Sequence, residues 1–171
     1  MPEIRTFLLP VTQDWLFMSN IQENDRKISL GFHYFSSETI RYTPFCDDFG
    51  PMNLADVFRF TKLVEKNRAK HPDEKLVYSI SSHPREITNA SFLLGSYLIL
   101  VHSQSSREVW SVFESISNSM EMFRDATYSK ISFRLTLLDC WGGLALANKL
   151  GWIDAIDMAG ETSRPEPNLF E

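Results

Sequence analysis

KLVYSISSHPREITNASFLLGSYLILV, residues 75–101, decides how the rest of the chain is read. It opens on a short apolar run, Leu76–Tyr78, passes through the polar stretch Ser79–Glu86, and closes on a long segment almost without charge. Strand, loop and buried helix follow from that order, with the helix expected from about Glu86 to His102. Arg85 falls six residues after Ser79, which stands at the strand's end. A strand that leads through such a loop into a helix N-terminus, with an arginine at its close, is the skeleton of a phosphate-binding loop. Backbone amides and the helix dipole would face an anion there, and a guanidinium would clamp it.

The uncharged run from Ile87 to Ser106 invites comparison with a membrane span. It carries Thr88, Asn89, Ser91, Ser96 and His102, and its densely apolar part falls short of the ~20 residues a span needs. A buried core helix is the expectation. With 171 residues, 43% of them apolar, the chain has the material for one domain with a proper core, which excludes disordered and fibrous classes. A formal charge of -5 argues against nucleic acid or an anionic membrane as partner. Two cysteines, Cys46 and Cys140, are too few for a disulfide framework and have no metal-ligand spacing, so neither metal nor cofactor is expected. No secretory leader pattern opens the chain.

Outward from the central stretch, Thr6–Val11 and Trp15–Met18 read as a first strand and its continuation, His33–Phe35 and Ile40–Pro44 as two more extended segments. A helix is expected from near Pro51 to about Lys70, with Leu54, Val57, Phe58, Thr61 and Val64 at helical spacing and His71-Pro72-Asp73 as its stop. Ser105 and Glu108 form a capping box ahead of a short amphipathic helix. Ser117–Tyr128 reads as a loop or broken helix, and a last helix as Lys130–Leu150, with close packing or a bend at Gly142-Gly143 and a C-terminal cap at Gly151. A short turn over Trp152–Met158 and a tail from Glu161 complete a domain of residues 1–160 followed by residues 161–171. The alternation is that of an α/β domain, a small sheet with helices against it.

Four stretches, FCDDFGPMNLADVFRF (45–60), NASFLLGSY (89–97), FRDA (123–126) and LTLLDC (135–140), stand in an order that resembles the N-terminal half of the mitotic-exit dual-specificity phosphatases, the cell-division-cycle-fourteen type. The resemblance covers about Phe7 to Ile156. It implies a phosphatase-like fold with a degenerate active loop: in that family two phosphatase-fold domains stand in tandem. The C-terminal one carries the catalytic cysteine and arginine, while the N-terminal one lacks the nucleophile and helps form the groove for a phosphoserine-proline substrate. What the resemblance implies for this chain is an inert domain whose partners are a catalytic phosphatase domain, in cis or in trans, and a phosphoprotein substrate, with residence in nucleus or cytoplasm. A fragment, a short paralogue and half of a split protein are all compatible with it.

The candidate site residues each have two readings. Ser79 stands where a cysteine-dependent phosphatase needs a thiolate, and a serine hydroxyl does not ionise unaided. Arg85 reads as a residual anion ligand or as a structural or interface arginine. The loop has no glycine, Pro84 lacks an amide donor and Glu86 is negative, all of which argue for the second. Asp48 occupies the place of a degenerate general acid, against the plainer reading that Asp47 or Asp48 caps the helix near Pro51. His83 lies close to Ser79 with no acid at a triad spacing. Arg124 and Asp125 read as an internal ion pair or as interface residues, and Trp152 as an interface anchor. The rivals to an inert domain are a phosphopeptide-binding module and a weak phosphoesterase working through Ser79 or Cys46.

Overall fold

The computed structural model describes residues 6–21, 31–37, 39–127 and 133–153. Four strands, β1 (Leu8–Pro10), β2 (Leu16–Ser19), β3 (Phe32–Phe35) and β4 (Lys75–Ser79), form one sheet in the order β1-β2-β4-β3. β4 is central, parallel to both β2 and β3, while β1 runs antiparallel along β2. The first two runs are therefore a hairpin and not one strand with a continuation. The Thr12 hydroxyl explains the reversal, accepting from the Leu16 amide at 2.9 Å inside a turn closed by Val11 N to Leu16 O at 2.8 Å.

The helices are α1 (Leu54–Lys70), α2 (Pro84–His102), α3 (Ser106–Phe113), which continues as a 3-10 turn over Glu114–Ser119, and α4 (Leu137–Lys149). α1 begins where Asn53 accepts from the Asp56 amide at 2.9 Å, so neither Asp47 nor Asp48 is its cap. Val57, Thr61 and Val64 are buried as their spacing requires, but Leu54 is 44% exposed and Phe58 only half-buried, Phe60 taking the core place beside it. The Ser105–Glu108 capping box is present. α4 starts later than Lys130 because Thr136 and Asp139 form a second capping box, a worth of about 1 kcal/mol that fixes the start at Leu137. Residues 128–132, 154–158 and the tail lie outside the described residues.

α2 is the pillar of the domain. Every residue from Ile87 to Ile99 is buried, and α1, α3 and α4 all pack on it. Its hydroxyl groups do not disturb the core: Ser91 and Ser96 donate back to Ile87 O and Phe92 O, at 2.8 and 2.7 Å. No helix among the described residues is long and apolar enough to cross a membrane. The glycine that packs closely is Gly95 of α2, where the Trp141 indole lies against the backbone. Gly142 and Gly143 have open space where a side chain would begin. The segment 40–44 is not a strand; Tyr42 instead packs edge-on to Phe49.

Candidate functional site: a cleft at the carboxyl end of the central strand

Parallel strands place binding clefts at their carboxyl ends, and β4 ends at Ser79 in a cleft of about 660 Å³. Its walls include Tyr42, Phe49, Tyr78, Arg85 and Asn89. Tyr78 is fixed there by a 2.7 Å hydrogen bond with Ser37. The Oγ of Ser79 and the Oδ1 of Asn89 are buried with no hydrogen-bond partner among the described residues. No base among the described residues, His83 included, is therefore set on Ser79.

The loop from Ile80 to Arg85 is folded on itself. Ile80 N donates to Ser19 O at 2.9 Å, Ser81 N to Glu86 Oε2 at 3.3 Å, His83 N to Ser81 Oγ at 3.1 Å and Arg85 N to His83 Nδ1 at 3.3 Å. Ser82 Oγ is engaged from outside by Asn20 Nδ2 at 3.1 Å. Amides that would cradle an oxyanion are thus satisfied by the protein, and a carboxylate of the chain itself already lies on the loop.

Arg85 is equally occupied. Its Nε donates to Glu121 Oε1 at 2.8 Å, its Nη2 lies 3.5 Å from Asp47 Oδ1, and its guanidinium sits 5.3 Å from the centre of the Phe49 ring. Hydrogen bonding to Glu121 leads the influences that push its pKa further up. Glu121 is itself held by the backbone, because Thr88 Oγ1 donates to Glu121 O at 2.9 Å and accepts from Glu121 N at 3.0 Å. Asp47 also reaches Arg124, 3.3 Å from its Nη1. Phe49 and Arg124 exchange both backbone hydrogen bonds, at 3.0 and 2.7 Å, which joins the FCDDFG and FRDA segments across the chain.

Asp48 faces a different partner set. Tyr42 donates its hydroxyl to Asp48 Oδ2, and Cys46 N donates to Oδ1 at 2.7 Å. The Tyr42 bond, then the Cys46 amide, hold the Asp48 carboxyl down at about 2. Burial first, and the Asp48 carboxylate second, push the Tyr42 phenol up to about 12. An acid that stays ionised to so low a pH has no proton to give near neutrality. Of the two thiols, Cys46 is exposed, and burial, with Asp139 beside it, pushes Cys140 up to about 11.

Of the residues singled out in the sequence, the structure brings Ser79 and Arg85 to one cleft and links Arg85 to Arg124 through Asp47. Asp48 stands beside that junction. Trp152 is 77% exposed at the foot of α4, away in sequence from all of them. The sequence reading missed Glu121, Tyr42 and Asn89. Asp47 had a signal, as the neighbour of Asp48, whereas nothing local marks Glu121 as the partner of an arginine 36 positions earlier.

Comparison with known proteins matches residues 10–147 to the family described as dual specificity protein phosphatase, N-terminal half. The chain is 32% identical over 146 residues to the dual specificity protein phosphatase CDC14A of Mus musculus, an alignment covering 83% of this chain and 24% of that protein. It is 31% identical over 119 residues to the tyrosine-protein phosphatase CDC14 of Saccharomyces cerevisiae, covering 68% and 22%. The chain thus spans about a quarter of the length of the curated relatives it matches. A four-stranded α/β sheet flanked by helices, ending in a loop of phosphatase spacing, agrees with that match, and the chain belongs to the family of N-terminal halves of dual-specificity protein phosphatases.

Proposed function

We propose that this is a catalytically inert phosphatase-fold domain that seats the catalytic domain of a dual-specificity (Ser/Thr and Tyr) protein phosphatase, in cis or in trans, and helps receive its phosphoprotein substrate. The observation that carries the reading is the occupied state of the loop after β4. Its arginine is bound to Glu121 and Asp47, four of its amides are used internally, and a serine stands at its head. Phosphoryl transfer needs an activated nucleophile and free donors for the oxyanion, and a serine in place of a thiolate with four amides already engaged weighs against both.

A surface for a partner domain is supplied by α4. Leu138 and Leu146 on α4 and Leu150 at its C-terminal cap are exposed by 36%, 55% and 52%, with Trp152 beyond them. Exposed large apolar side chains of this kind are what an interdomain contact covers. A second reading, binding of a phosphopeptide in the cleft, is favoured by the Ser79 hydroxyl, a donor among the cleft's lining residues with no partner among the described residues.

The test is incubation of the purified chain with an aryl phosphate, followed by calorimetric titration with a separately expressed catalytic half. Expected are no turnover above that of Ser79→Ala or Cys46→Ser, and binding that weakens about tenfold or more in Leu146→Glu, a loss of ~1.4 kcal/mol. Turnover abolished by either substitution would overturn inertness. Binding of phosphoserine-proline peptides lost in Arg85→Ala would instead establish the second reading.

A further inference from the structure

At the opposite end of β4 from the cleft, three potential metal ligands from two parts of the chain meet. His33 lies on β3 in register with Leu76, His71 is the C-terminal cap of α1, and Glu74 closes the turn that follows. The backbone under them is fixed: Glu74 N donates to His71 O at 3.2 Å, and Lys75 N to Gly31 O at 2.7 Å. His71 Nδ1 lies 2.9 Å from Glu74 Oε1, and the two imidazoles stack with centroids 3.6 Å apart and planes 14° from parallel. One donor atom from each of the three residues lies within 4.8 Å of the other two, and all three side chains are half-buried.

A hydrogen-bonded His–Glu pair beneath a stacked imidazole needs no ion to hold together, and that is the plainer account of the contacts. It does not account for two imidazoles and a carboxylate converging on rigid backbone. We propose that His33, His71 and Glu74 form a binding site for a divalent transition-metal ion of the zinc class. Two nitrogens and one carboxylate oxygen are the borderline donor set such ions prefer over magnesium or calcium, which take oxygen.

Tetrahedral bonds of about 2.0–2.1 Å set donors about 3.3–3.4 Å apart, so the spread of at most 4.8 Å has to contract and the stacked rings have to turn out of parallel for both nitrogens to face one ion. Asn67 serves as the outer group that metal-bound histidines commonly have. Its Nδ2 is held by Leu63 O at 2.8 Å, leaving Oδ1 3.3 Å from His33 Nε2. The carbonyl end of α1 adds a partial negative charge to the same place. Two cations close in sequence to these ligands are directed elsewhere: the Arg68 guanidinium lies over the Trp15 ring, and the Lys75 ammonium lies 5.7 and 5.6 Å from the centres of the Phe17 and Phe32 rings. An ion here would clip β3 to the end of α1 and to the turn entering β4, stabilising the domain by mass action.

The test uses the untagged chain in a Cys46→Ser background, stripped with a chelator. Zn²⁺ is titrated calorimetrically and Co²⁺ by visible absorption, with His33→Ala, His71→Ala and Glu74→Gln alongside and circular dichroism to confirm folding. Expected are about one ion per chain, a Kd of about 10 μM or tighter, and a loss of about tenfold or more in either histidine variant. A rise in Tm with Zn²⁺ is expected in the parent only, and binding should weaken as the imidazoles are protonated. The absence of a d–d band in the Co²⁺-loaded parent overturns the proposal without reference to any variant. Affinity equal to the parent's in folded His33→Ala and His71→Ala also overturns it.

Discussion

Gly95 lies directly against the indole of Trp141: a Cβ built on the glycine would sit 2.4 Å from Cε2 and Cζ2 of the ring. The indole cannot retreat, because it is fully buried, its Nε1 donates to Phe92 O at 3.1 Å, and Phe113 packs against it at 5.6 Å. Two effects oppose each other in Gly95→Ala. Helix propensity favours alanine by about 1 kcal/mol, but overpacking against a fixed ring typically costs about 1–3 kcal/mol, and loss of the Nε1 bond adds to it. The expected outcome is a net destabilisation of about 1–2 kcal/mol, read from the denaturant midpoint. Gly142→Ala tests the same reasoning with opposite sign. Nothing lies within 4 Å of the new methyl, and the midpoint should rise by the equivalent of about 0.5–1 kcal/mol.

Arg85 should behave as a strut. In Arg85→Ala, Glu121 and Asp47 lose their common partner and Phe49 loses its cover. Since the guanidinium is 31% exposed and Asp47 71%, the loss is discounted for solvent to about 1–2 kcal/mol. Arg85→Lys should recover less than half, because an ammonium cannot reach two carboxylates with a planar fork. Urea denaturation of the three proteins checks both statements.

The Asp48–Tyr42 pair predicts stability changes at both extremes of pH. The folded Asp48 carboxyl is held at about 2 against a usual 3.8, so the unfolded chain takes up its proton first. Its contribution is complete above pH 3.8 and disappears as pH falls toward 2. Tyr42 has the opposite sign: with its phenol raised from 10.0 to about 12, the contribution is complete below 10 and is lost as pH rises through 12. Asp48→Asn should therefore flatten the acid limb of the stability profile and bring Tyr42 to ionise at lower pH, which ultraviolet titration of the phenolate detects.

Thiol chemistry should separate the two cysteines. Exposed Cys46 is expected to react with an aromatic disulfide in a fast phase near pH 8, while Cys140, pushed up to about 11, reacts at least about tenfold more slowly. Cys46→Ser should remove the fast phase alone. A fast phase that survives that substitution would place a reactive thiolate at Cys140.

How much of this was legible in the sequence follows from the range of the forces involved. β4, its loop and α2 could be read because strand, turn chemistry and buried helix are contiguous, and the Ser105–Glu108 box because capping acts over three residues. Ile40–Pro44 was misread for the converse reason: Tyr42 resembles a strand aromatic, yet its partners are Asp48 and Phe49, outside any ladder. The start of α4 was legible at Thr136–Asp139 and was displaced by extending the apolar period back to Lys130. The Gly142-Gly143 pair drew the attention that Gly95 deserved, since only the fold shows which glycine meets a ring. Nothing in local spacing joins Arg85 to Glu121, or His33 to His71, because each contact is closed by the sheet and helices between them.

The way Trp141 is seated on Gly95 also bears on how the domain comes off the ribosome. The most deeply buried helix, α2, is synthesised well before the indole that covers one of its sides, so a nascent chain halted ahead of residue 137 exposes a greasy flank with no later segment to hide it. Premature stops in that interval should leave insoluble material and engage chaperones.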